Sequence, residues 1–204
     1  LLFSIVTKFG VESSSIAALI ASGGVAIGLA VQGSLSNFAG GVLILLLKPF
    51  VVGDYIIEDN HKNEGTVKEI QIFYTKLSTV DNKTIIIPNG TLANTSLTNV
   101  TAKEVRRLEI KVGISYDSDL RKAKKILAEI LDREEKILKE DEVLIYVDNL
   151  ADSSVQIGIR AWVKTDDYWP VRWKLLEEIK LTFDREGIEI PYPQIKVHMK
   201  ECEN

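Results

Sequence analysis

The chain carries one cysteine, Cys202, in 204 residues, so no internal disulfide can form and a reducing compartment suits it. Its two histidines, His61 and His198, lie far apart, and neither stands at metal-ligand spacing from Cys202, which argues against a zinc site. No lysine follows Gly33 in Gly28…Gly33-Ser34, so a phosphate loop fails, and no G-x-G spacing offers a dinucleotide fingerprint. A net charge of −4 gives no bulk attraction for nucleic acid. Asp166 and Asp167, beside Tyr168-Trp169-Pro170, read as a solvated loop cap rather than a catalytic carboxylate pair. These absences leave an enzyme as the least supported class and call for no cofactor and no metal. The widest gap is in charge: there is none between Ser13 and Leu47.

A bilayer core of ~30 Å takes about 20 apolar residues in a helix, and this run is longer. Gln32, Gly33, Ser34, Ser36 and Asn37 interrupt it with a polar, flexible patch. The pattern predicts two helical pieces, roughly Ser13–Val31 and Leu35–Leu47, hinged near Gly33, where glycine lacks the stiffening Cβ. A second hinge is expected near Gly41. The first piece is long enough to span; the second reads as interfacial.

At about 100° per residue, Leu29 lies about 40° and Ala18 about 20° to one side of Val25, with Ala21 about 40° to the other. Ser22 and Ala26 form one flank of this stripe, Gly28 and Gly24 the other, and Ile16, Ile20 and Ile27 point backwards. Small residues let helix backbones approach closely in lipid. Two small ridges give each helix a left and a right neighbour, and copies of the same chain would close a ring by heterologous contacts. Val25 and Leu29 would then wall an apolar pore that gates by dewetting. The competing reading is a glycine- and alanine-rich helix in a soluble core.

Beyond Lys48-Pro49-Phe50 the chain has a globular balance of residues. Tyr55–Glu58, Gly65–Ile70, Thr75–Val80 and Thr84–Ile87 read as short strands between turns, a small all-β module of twisted, open-barrel type. From Glu104 the order is strand, helix, strand, strand, helix: Arg106–Ile114, Leu120–Leu131, Val143–Val147, Val155–Val163 and Val171–Arg185. Asp117, Ser118 and Asp119 are capping candidates for the first helix, and Pro170 and Gly187 fit the ends of the second. This is an α+β sandwich. Lys62, Lys68, Lys76 and Lys83 are interleaved with acids and few aromatics, against RNA binding. Trp162, Trp169 and Trp173 read as core or subunit contacts. The run Arg121, Lys122, Lys124, Lys125 is the wet face of a helix, or a bias on the electrostatics of a solute-filtering chamber.

The segment Gly28-Leu29-Ala30-Val31-Gln32-Gly33-Ser34-Leu35-Ser36-Asn37-Phe38-Ala39-Gly40-Gly41 resembles the pore helix of the small-conductance mechanosensitive channel family. Lys48-Pro49-Phe50, Gly53-Asp54-Tyr55, Ile87-Pro88-Asn89-Gly90, Tyr116-Asp117-Ser118-Asp119 and Pro191-Tyr192-Pro193-Gln194 extend the resemblance in order. It implies a homoheptamer in the bacterial inner membrane, opened by tension and releasing ions and small solutes during hypo-osmotic shock. Membrane lipids are then its surroundings, and no nucleic acid is a partner. It places the pore constriction on Val25 and Leu29; the family usually has leucine at both positions. Ala18, Ala21, Ser22, Gly24, Ala26 and Gly28 become helix-packing positions. The resemblance also implies an Sm-like β domain, a ferredoxin-like α+β domain, and N-terminal membrane helices ahead of Leu1. Positive charges flank the apolar run almost evenly, with Lys8 before and Lys48 after. The lack of disulfides and the resemblance together put everything after Lys48 in the cytoplasm. The expected division is 1–49 pore helix, hinge and interfacial helix; 50–102 β domain; 103–192 α+β domain; 193–204 C-terminal strand and tail. A non-conducting membrane-anchored scaffold is the alternative.

Pro191-Tyr192-Pro193 redirects the chain, and Ile195-Lys196-Val197-His198-Met199-Lys200 alternates as a strand. Its unpaired edges find partners in the same strand of neighbouring subunits, as a closed parallel barrel implied by the resemblance. A seven-stranded interior is about filled by side chains, so Ile195, Val197 and Met199 are expected to point into the lumen.

Overall fold

A computed structural model describes residues 12–195. Its elements fall into two compact units, 1–102 and 103–204.

The first unit opens with α1, Ser13–Leu47, a single helix of 35 residues. The two-piece reading is therefore corrected: helical structure runs unbroken through Gly33. A helical glycine costs only ~1 kcal/mol relative to alanine, and the alanine and leucine turns on both sides outweigh it. No proline occurs before Pro49 to remove a hydrogen bond. The helix ends because the residue before a proline is pushed out of the right-handed region. Lys48 takes a left-handed conformation (φ 48°), and its N–H closes on the Ile44 carbonyl at 2.9 Å.

Five strands follow: β1 Tyr55–Glu58, β2 Glu64–Ile70, β3 Tyr74–Ser78, β4 Thr84–Pro88 and β5 Leu97–Asn99. They form one antiparallel sheet in the order β4-β3-β2-β1-β5. Between β4 and β5 lies α2, Asn89–Asn94. The module is thus not all-β; Pro88 stands just before this helix, and Leu92 packs into the core. Alternation along the strands turns Ile56, Val67, Leu77 and Ile87 inward, where they meet Phe50, Leu92 and Ile44. Glu58 is also fully buried. Its carboxylate accepts from the Asn60 and His61 N–H groups at 2.8 and 3.0 Å and from the His61 ring at 3.2 Å, closing the β1–β2 turn.

The second unit contains β6 Val105–Ile114, α3 Leu120–Arg133, β7 Leu144–Leu150, β8 Val155–Lys164 and α4 Tyr168–Glu186. Its antiparallel sheet has the order β6-β8-β7. Asp119 caps α3 by accepting from the Arg121 and Lys122 N–H groups at 2.8 and 3.1 Å. Ala123, Leu127 and Ile130 from α3 and Leu175, Ile179 and Phe183 from α4 pack with Leu108, Ile110, Ile157 and Ile159 of the sheet. Gly187 (φ 70°) ends α4 in the left-handed conformation that glycine adopts without a Cβ penalty.

Candidate functional site: the apolar helix and its dock

The two halves of α1 differ in environment. In the first half, Val25 and Leu29 are 63% and 67% exposed. Ala18, Ala21, Ser22, Gly24, Ala26 and Gly28 are exposed around them. Among the described residues, no neighbouring group comes within 4 Å of a Cβ built on Gly24, Gly28 or Gly33. This half is a 3.6-residue spiral of apolar and small side chains offered outward, and Ser22 Oγ satisfies itself on the Leu19 carbonyl at 3.0 Å. Residues Ser14–Leu47 are long and apolar enough to cross a membrane, and their most apolar window has no buried residue within the unit.

The second half, expected to be interfacial, packs against the β unit. Gly40 and Gly41 are the contact points. A Cβ on Gly40 would stand 2.6 Å from the Asn89 carbonyl oxygen, and one on Gly41 would fall on the Ile72 carbonyl oxygen. Gly41 is therefore a close-approach glycine, whatever hinge it also provides. Asn37 Oδ1 accepts from the Gly90 N–H at 3.0 Å, Phe38 meets Phe73 with ring centroids 6.1 Å apart, and Ile44 is buried.

Asn89 organises the receiving side. Fully buried, it accepts from the Thr75 hydroxyl at 2.8 Å and donates through Nδ2 to the Gln71 carbonyl at 2.7 Å; its N–H reaches the Phe73 carbonyl at 3.0 Å. Both polar atoms of the side chain are matched, as a buried amide requires. Asn37, Asn89 and Gly90 are functional candidates that residue-by-residue reasoning passed over. The available clue was an asparagine inside an uncharged run, whose amide demands a partner.

A second cluster holds the loop after the helix. Asp54 Oδ2 accepts from the Val51 N–H and from Asn99 Nδ2, both at 2.9 Å, and Oδ1 accepts from the Thr101 hydroxyl at 3.3 Å. Burial alone would raise its pKa, but the Val51, Asn99 and Thr101 donors outweigh burial and hold the carboxyl below the ordinary 3.8. Of the expected barrel residues, Ile195 is 88% exposed, while Val197 and Met199 lie outside the described residues. Among the described residues no group of acids, histidines or cysteines is arranged to hold a metal ion.

Residues 33–102 match the family described as mechanosensitive ion channel, beta-domain, and residues 108–190 match mechanosensitive ion channel MscS, C-terminal. An MscS family protein of Buchnera aphidicola subsp. Baizongia pistaciae is 41% identical over 192 residues, covering 94% of this chain and 68% of that protein. The small-conductance mechanosensitive channel of Edwardsiella ictaluri is 41% identical over 179 residues, covering 88% of this chain and 62% of that one. The crystal structure of Helicobacter pylori MscS in its closed state superimposes with a TM-score of 0.90 at 32% identity, covering 98% of this chain and 79% of the other. That family consists of membrane-embedded, oligomeric channels and not of enzymes. With its exposed apolar helix docked by glycines on a β unit, the chain belongs to the MscS family of mechanosensitive channels.

Proposed function

We propose that this chain lines and supports a tension-opened pore that releases ions and small solutes during hypo-osmotic shock. The observation that carries the reading is the outward half of α1, with Val25 and Leu29 flanked by small-residue ridges and its other half held by the β unit. A narrow apolar neck excludes water, and ions stay out with it. Ala18, Ala21, Ser22, Gly24, Ala26 and Gly28 are the proposed packing positions, and Gly33 and Gly41 the proposed places of bending during gating.

The proposed assembly is a homoheptamer in the bacterial inner membrane, with the residues after Lys48 in the cytoplasm. Support for self-association comes from α4. Beyond its core face, Trp169, Trp173 and Leu176 recur at i, i+4 and i+7 as a second apolar stripe. Its two tryptophans are stacked at 5.8 Å and are 52% and 62% exposed. Aromatic side chains left outward in this way suit burial against another subunit. The Sm-like and ferredoxin-like classes, the parallel C-terminal barrel with Ile195, Val197 and Met199 in its lumen, and the divisions 1–49, 50–102, 103–192 and 193–204 are parts of the same proposal.

Single-channel recording from the full-length protein in a patched bilayer under suction tests the reading. Conductance that rises with tension is expected. An assembled but silent protein would favour the membrane-anchored scaffold instead.

A further inference from the structure

Asp54 joins parts of the first unit that are distant in sequence. Its main-chain carbonyl accepts from the Val67 N–H at 2.8 Å, which anchors it to β2. From that post its carboxylate reaches back to Val51, in the loop leaving α1, and across to Asn99 and Thr101, where the chain leaves β5. Asn99 Nδ2 also lies 3.4 Å from the Pro49 carbonyl, a second link to the same exit loop. Thr101 Oγ1 accepts from the Tyr55 N–H at 2.9 Å, so the hydroxyl is oriented by β1 and turned towards the Asp54 and Asn99 oxygens. The second unit begins at Lys103, two residues beyond Thr101. The only covalent route from the apolar helix to the rest of the unit passes through Pro49–Gly53, and the Asp54 cluster shortcuts it to the outgoing strand.

We propose that Asp54 is a tether that holds the exit of the pore helix to the strand leading out of the β unit, and that it stabilises the closed pore. The inference rests on the channel reading above. The tether is present in a conformation that matches a closed-state structure over 98% of the chain. A contact made more strongly in one of two states biases the equilibrium towards that state, and removing it favours the other. Hydrogen bonds to a charged carboxylate are the stronger kind, which suits a joint under load. Asp54 acts through the helix exit and touches no permeating ion, so it is a positioning residue.

The test uses the full-length channel in patched membranes, with oligomer elution and thermal unfolding measured on the same variants. Asp54→Ala should lower the half-opening tension while the oligomer and its Tm remain near wild type. Thr101→Val should lower it less, and the two together no further than Asp54→Ala alone, because both act on one cluster. Asp54→Glu, which keeps the carboxylate, should restore most of the threshold. An unchanged threshold in assembled Asp54→Ala overturns the tether. So does a shifted threshold that follows a matching loss of Tm and that Asp54→Glu leaves unrepaired. If Asp54→Ala does not assemble, Asn99→Asp takes its place, setting two carboxylates side by side; a lowered threshold is expected there, and a wild-type one overturns the proposal. A wild-type channel that ignores tension refutes the channel reading itself, and the tether with it.

Discussion

The gate proposed at Leu29 and Val25 rests on side chains that have nothing to bond with. A hydroxyl at Leu29 lowers the cost of wetting the neck. Leu29→Ser should therefore open at lower tension and slow the growth of cells expressing it, as patch recording and growth curves would register; normal growth at an unchanged threshold would remove Leu29 from the gate. Glu58 illustrates the opposite case, a charge kept because it is fully partnered. Burial pushes its pKa up, but the His61 and Asn60 N–H groups and the His61 ring more than compensate and hold it below the ordinary 4.5. A depressed pKa means that the ionised form stabilises the β1–β2 turn in full above the unfolded value and that this contribution fades as pH falls through the folded one. Hydrogen exchange at Asn60 and His61, corrected for intrinsic rates, should lose protection as pH falls below about 4.5. Equal protection at pH 3 and pH 7 would contradict it.

At the scale of elements, Gly33 and Gly41 separate. Gly33 has open space around it, so Gly33→Ala only stiffens α1, by ~1 kcal/mol, and should alter inactivation kinetics without harming assembly. Gly41→Ala drives a methyl group into the Ile72 carbonyl and the Asn89 side chain. It should lower the yield and Tm of the assembled channel before kinetics can be read; an assembled Gly41→Ala channel with wild-type Tm would argue against the dock. This contrast was not legible from composition, where both glycines look like hinges. Periodicity did carry the longer elements. Arg106–Ile114 became Val105–Ile114, and Leu120–Leu131 became Leu120–Arg133, because a full apolar face repeats several times in each. Leu97–Asn99 and Asn89–Asn94 complete fewer than two such repeats and leave no periodic trace in the sequence. The break expected at Gln32–Asn37 did not appear because polar side chains alone do not break a helix. Asn37 and Asn89 could be noticed in the sequence, but their closeness follows from the fold of the whole β unit.

For the whole molecule, the outer stripe of α4 makes the strongest demand. Trp169→Ser combined with Trp173→Ser leaves the core face of Val171, Leu175, Ile179 and Phe183 untouched. The variant should keep the fold of the second unit by circular dichroism yet shift the assembly towards smaller species in size-exclusion with light scattering; an unchanged mass would release these tryptophans from any subunit contact. The tail can be examined in the same preparation once Cys202 is replaced. Cysteines placed at 195, 197 and 199 should react slowly with a bulky thiol reagent, and those at 196, 198 and 200 quickly, if the barrel register is right.

The hydrogen bond from Gly90 to Asn37 spans 53 residues, and it has a consequence in time. A ribosome adds about 5–20 residues per second, so Gly90 is made roughly 3–10 s after Asn37. Throughout that interval the glycine face of α1 has no surface to settle on, and the Asn37 amide must make do with water, headgroups or the insertion machinery. If the helix spans the membrane as proposed, it meets lipid before it meets its own domain, and the β unit folds onto a helix already in place.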